Sequence, residues 1–232
     1  MSKKTNKKQP QTEPVETIQE SLTKTEEFII KNQKKLLYTI VGIIVVILLI
    51  VGYNKLIVKP KEQKAASEMF IAERNFERDS FNLALNGAEG YPGFLQIIED
   101  YKGTKAANLA YFYAGVSYMY LNDYDNAIKY LKKFKTEDPI LATEKYGAIG
   151  DAYVQKDNYQ EAIKFYKKAV ADDYSNDLTT PLFLKKLGLV YEKLGDYSQA
   201  LKQYQKIYQE YPKSSEARTI EKYIERAKLN LK

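Results

Sequence analysis

Residues 150–162 read Gly150-Asp151-Ala152-Tyr153-Val154-Gln155-Lys156-Asp157-Asn158-Tyr159-Gln160-Glu161-Ala162. Within them Tyr153 follows Gly150 by three places and Ala162 follows Tyr153 by nine. The same spacing recurs upstream as Gly115, Tyr118, Ala127 and downstream as Gly188, Tyr191, Ala200, at steps of 35 and 38 residues. A fixed period of this size marks stacked helix pairs, a solenoid that presents a surface rather than a catalytic cleft. Gly and Tyr three apart share a helix face, and the small residues fall where two helices approach closely. Between each Tyr and Ala lies a polar turn: Leu121-Asn122-Asp123-Tyr124, Lys156-Asp157-Asn158-Tyr159 and Leu194-Gly195-Asp196-Tyr197. Asn, Asp and Gly are turn and cap residues. Pro139 and Pro212 close two of the units, as proline does just past a helix end.

This pattern resembles the tetratricopeptide repeat. The first copy reads Tyr111, Ala114, Gly115, Tyr118, Ala127, Leu131, Phe134, Pro139. The second reads Tyr146, Ile149, Gly150, Tyr153, Ala162, Tyr166, Ala169, with Tyr174 in place of the proline. The third reads Leu184, Leu187, Gly188, Tyr191, Ala200, Tyr204, Ile207, Pro212. The resemblance implies an all-α solenoid with repeats at 108–141, 143–176 and 181–214. It also implies that the first helix of each pair lines the concave face. The clamp that some family members use for C-terminal carboxylates needs Lys and Asn there. The matching positions hold Phe112 and Val116, Gly147 and Asp151, Lys185 and Leu189, so the clamp is absent. The first repeat instead offers Phe112, Val116, Met119 and Tyr120, an apolar stripe suited to a hydrophobic peptide or a partner helix. These four form the candidate partner-binding groove.

Outside the repeats, residues 36–54 carry no charge and are mostly Ile, Val and Leu. About 20 such residues cross the hydrocarbon of a bilayer. Tyr38 and Tyr53 flank the run, and Lys34, Lys35 and Lys55 bracket it, as interface residues do. With 35 residues ahead of it, the run reads as a retained single-pass transmembrane helix over 36–58 rather than a cleaved leader. Residues 1–14 lack apolar content and are expected to be a disordered cytoplasmic tail. Val15, Ile18, Leu22 and Ile29 predict an amphipathic juxtamembrane helix over 15–35, with Thr23 and Glu26 as a capping box. Lys59-Pro60-Lys61 predicts a bend. Residues 65–85 predict one long helix and 86–93 a loop, together the start of a degenerate repeat at 65–103. Residues 215–231 form a capping helix with Ala217, Ile220, Ile224 and Ala227 on one face.

The net charge of +6 is unevenly placed. Residues 1–59 hold ten Lys and five Glu, whereas residues 60–232 hold 26 basic and 25 acidic residues. A near-neutral folded part argues against nucleic acid. The chain has no Cys and no His, which removes disulfides, thiolate nucleophiles, imidazole catalysis and zinc sites of the usual kind. The acidic pairs Glu99-Asp100, Glu137-Asp138 and Asp172-Asp173 fall at helix ends or loops, with nothing beside them to complete an acid–base constellation. No enzyme, cofactor, metal or small-molecule substrate is expected.

The whole layout is similar to the YfgM family of single-pass inner-membrane proteins: tail, anchor, proline bend, long helix, Gly-rich loop, three repeats and cap. That resemblance implies a cytoplasmic N-terminus and a periplasmic repeat domain over 60–232. It also implies partnership with the SecYEG translocon, with a PpiD-like membrane-anchored prolyl isomerase, and with newly exported proteins. A structural scaffold for another envelope assembly or maturation machine is the alternative.

Overall fold

The computed structural model describes residues 13–231, with side chains from residue 26 onward, and divides into two compact units that meet at Val58 and Lys59. In the first unit, α1 spans Glu13–Tyr53 and a π-helical turn follows at Asn54–Val58. The two segments expected at 15–35 and 36–58 thus share one helix. No proline or glycine separates them, and Thr23 lies inside the helix, so it caps nothing. The expected tail falls outside the described residues except at positions 13 and 14, as do the side chains of Val15, Ile18 and Leu22. Large apolar side chains between Leu37 and Ile57 are exposed throughout. The most apolar 18-residue window has a mean hydropathy of 2.8 and none of it is buried. By length and composition this helix is sufficient to cross a membrane.

In the second unit the chain forms helix pairs: α5 (Lys105–Tyr120) with α6 (Tyr124–Lys133), α7 (Pro139–Gln155) with α8 (Tyr159–Ala169), and α9 (Thr180–Lys193) with α10 (Tyr197–Glu210). The last helix, α11 (Ala217–Asn230), packs on α10. The repeated triplets explain the packing. A Cβ on Gly115 would lie 2.5 Å from Leu131 Cγ, one on Gly150 2.6 Å from the Tyr166 ring, and one on Gly188 2.3 Å from the Tyr204 ring. In each pair the glycine meets the residue sixteen places later. Ala127, Ala162 and Ala200 are fully buried on the facing helices.

The tyrosines of the triplets mark where the first helices stop. The amides of Asp123, Asn158 and Asp196 each donate to the carbonyl of Tyr118, Tyr153 and Tyr191 at 2.9 Å, closing a left-handed turn at Asn122, Asp157 and Gly195. This is the Schellman ending. The next side chain starts the second helix: Asp123, Asn158 and Asp196 accept from the amides of Asn126, Glu161 and Gln199.

That same turn corrects the long helix expected at 65–85. Ser80 N–H donates to Asn75 O at 2.9 Å, with Asp79 left-handed, so α2 (Lys59–Glu77) ends and α3 (Phe81–Asn86) begins. Pro60 sits in the first turn of α2, where its missing N–H is tolerated. Residues 59–100 are therefore a fourth helix pair whose second helix is interrupted. Seventeen residues separate Ala84 from Tyr101, against eleven between Ala200 and Tyr211. The six additional residues, 87–92, form a hairpin in which Gly87 pairs with Pro92 and Ala88 with Tyr91, and helix resumes as α4 (Phe94–Asp100). Gly87 and Gly93 touch where the hairpin leaves and returns. Gly87, at φ +72°, has backbone positions a side chain would strike. Among the described residues the regular structure is thus helical apart from one two-residue ladder.

The segment linking α8 to α9 is pinned rather than loose. A 3-10 turn at Asp172–Tyr174 leads to Asn176, whose side chain accepts from the amides of Leu178 and Thr179 and donates to Thr179 Oγ1 and Thr143 Oγ1. Its own amide donates to Thr180 Oγ1, so α9 starts in register despite the lost proline. At the far end, Arg226 of α11 donates to Glu192 of α9 through both Nε and a terminal nitrogen, at 3.2 and 2.5 Å, and lies over the Tyr223 ring.

Gly150→Leu is expected to destabilise the second unit. Its side chain would enter the Tyr166 ring, and overpacking costs about 1–3 kcal/mol or more. Thermal unfolding of the full chain in detergent, followed by circular dichroism, should show a midpoint lower by roughly 2–4 °C per kcal/mol. An unchanged midpoint would refute the close approach.

Candidate functional site

A cavity of about 590 Å³ is lined mainly by the first helices α7 and α9, with Met119 from α5 and Tyr159 and Tyr166 from α8. Met119, Val154, Leu189 and Val190 give it apolar walls, and Lys193 and Gln155 stand among its polar lining. Asp151 sits at its base. It accepts from Tyr166 Oη at 2.5 Å and from Lys186 Nζ at 2.7 Å, which ties α7, α8 and α9 together beneath the cavity. Burial first, then the Asp151 carboxylate, pushes the Tyr166 phenol well above its ordinary range, so it stays a donor. Burial also raises the Glu144 carboxyl, with Lys186 opposing and Asp151 adding to the shift.

A close contact lets α7 and α9 approach on this face. Gly147 leaves room for the Phe183 ring, which lies only 2.0 Å from where a Cβ would be. Nothing in the triplets points to Gly147, because its partner belongs to the next repeat.

The apolar stripe of the first repeat is divided among three surroundings. Phe112 and Val116 are half-buried in the seam between the first two repeats, against the cluster of Ile128, Leu131, Ile149, Ala152 and Phe165. Phe112 lies 5.3 Å from the Phe134 ring. Met119 touches the same cluster and reaches the cavity. Tyr120 is exposed and stacks on Phe81 of α3 at 4.2 Å. The residue of α5 that turns toward α2 is Tyr113, packed on Phe76 and Phe94. The stripe is therefore not one open face, because α5 has a neighbour on each side and its apolar residues are shared between them. Sequence spacing missed Val154, Val190 and Lys193. Leu189 occupies one of the concave positions that the resemblance implied.

Residues 142–213 and 109–139 match the tetratricopeptide repeat family. The chain carries tetratricopeptide repeats, which are protein-interaction modules. No curated protein matches it in sequence. Among solved structures, MamA protein is similar with a TM-score of 0.55 at 22% identity, over 72% of this chain and 82% of that one. A chain of nearly identical TPR-like repeats ascribed to a Podosopora anserina kinesin light chain gives a TM-score of 0.56 at 12% identity, covering 73% and 87%. At these identities the likeness establishes the fold.

Phe112→Asp should disrupt the solenoid rather than a free groove. It would place a carboxylate against Phe134 and the inter-repeat cluster, where an unpaired charge costs several kcal/mol. Circular dichroism should show lost helix or a lowered unfolding midpoint. A variant as stable as the parent would place Phe112 on an open surface.

Proposed function

We propose that this chain is a membrane-anchored, non-catalytic adaptor whose concave groove receives an apolar segment of a partner protein. The observation that carries the reading is the 590 Å³ cavity lined mainly by α7 and α9, where Met119, Val154 and Leu189 present apolar surface beside the polar Asp151, Tyr166 and Lys186. Cavities of this size with mostly apolar walls are usual ligand sites. The uncovered apolar length of α1 supports the anchor, since nothing in its own unit shields it.

The layout that resembles the YfgM family extends the proposal. The chain would be a single-pass protein of the cell inner membrane, N-terminus cytoplasmic and repeats periplasmic. It would act beside the SecYEG translocon and a PpiD-like prolyl isomerase on newly exported proteins. Affinity purification of the full chain in mild detergent tests this. Recovery of translocon subunits or a periplasmic chaperone supports it. A single stoichiometric partner unrelated to secretion favours the envelope scaffold instead. Protease added to spheroplasts should degrade residues 65–232, and full protection of them would reverse the topology.

Leu189→Asp separates binding from folding. Leu189 is 38% exposed on the cavity wall, so the change should leave helical content intact. Desolvating the new carboxylate against an apolar segment should lower partner affinity at least about tenfold. Normal capture by a folded variant would remove the groove as the binding surface.

A further inference from the structure

A second depression, of about 530 Å³, lies at the N-terminal end of α5. Lys102, Lys105, Lys133 and Lys135 line it together with Tyr111, and no carboxylate does. All four lysines are exposed, and none forms an ion pair with a carboxylate among the described residues. Glu62 of α2 sits at the same helix end, where its two oxygens accept from the amides of Lys105 and Ala106 at 2.8 and 3.0 Å and so cap α5 rather than pair with a lysine ammonium. Glu137 lies in the adjoining depression, with Lys135 and Lys145.

The backbone beneath the lysines is fixed. Asn108 donates to Lys135 O at 2.7 Å and accepts from Lys135 N at 3.0 Å, which holds the segment after α6 against α5. Lys61 Nζ donates to Lys102 O at 3.1 Å. Lys133 Nζ lies 5.6 Å from the Tyr111 ring centroid. The four lysines are thus brought to one concavity by two stretches of chain, 102–105 and 133–135. Unpaired like charges gathered in this way suit an anion that spans several of them.

The tether indicates which anion. Lys61 follows the last residue of the first unit, Val58, by three positions. Three residues span at most about 11 Å, so Lys61 is never farther than that along the chain from the end of the apolar helix. Lys55 and Lys59 add charge along the same stretch of sequence. We propose that the depression lined by Lys102, Lys105, Lys133 and Lys135 docks on phosphate headgroups of an anionic bilayer and fixes the repeat unit on the membrane surface. This rests on the anchor reading of α1.

Lysine acylation followed by mass spectrometry tests it on the full chain in nanodiscs, either zwitterionic or containing anionic phospholipid. Exposed Lys202 and Lys213 serve as internal controls. A lysine near an anionic surface gains about a factor of five in association. Anionic discs should therefore slow acylation of the four lysines by about that factor or more relative to the controls, and added salt should reverse the effect. Lys102→Glu with Lys135→Glu should restore the acylation rate of Lys105 and Lys133 in anionic discs. Uniform rates in chain that has inserted would overturn the docking alone. Failure to insert into either disc would overturn the anchor reading and the docking with it. Equal slowing by inorganic phosphate in zwitterionic discs would make this a small-anion site, and slowing only by an acidic peptide would make it a protein site; either overturns the lipid assignment.

Discussion

The second unit depends on two helices of a pair coming close enough for a ring or a leucine to rest on bare backbone. Gly115, Gly150 and Gly188 supply that bare surface, and Leu131, Tyr166 and Tyr204 fill it. Because the contact always joins positions sixteen apart, it fixes both the angle of the pair and the length of the turn between its helices. The left-handed residue and the capping side chain that follow each tyrosine are the only turn chemistry that fits this length. Stacking then adds a second contact of the same kind between neighbours, Gly147 beneath Phe183.

The triplets made the pairs legible in sequence because glycine, tyrosine and alanine each had one steric role at a fixed offset. The interrupted pair at the start was harder to see. The offsets of three and nine survive as Ala72, Asn75 and Ala84, but alanine replaces glycine, asparagine replaces tyrosine, and six residues intrude before Phe94. Its turn nonetheless has the same backbone hydrogen bonds as the others, with Asp79 and Ser80 at the places of Asn122 and Asp123, although the Ser80 side chain does not cap α3. The groove was the least legible part. Apolar residues on a first helix serve two neighbours as well as the concave face, and a single chain does not label which is which. Phe112 and Val116 went to the seam, Leu189 to the open wall.

The polar base of the groove suits an adaptor more than a catalyst. Asp151 has both oxygens engaged, by Tyr166 and Lys186. What the arrangement supplies is rigidity: three helices locked under a surface whose upper part is apolar and open.

The sixteen-residue spacing also bears on how the protein comes into being. Closing a loop that short costs little chain entropy, and chains rich in such local contacts fold fast. The heavily packed elements of the second unit are neighbours in sequence or nearly so. Each pair thus needs only its own residues, and then the pair before it, to settle. A chain emerging N-terminus first meets its partners in the order in which it is made, and α11 appears only after α10, on which it packs.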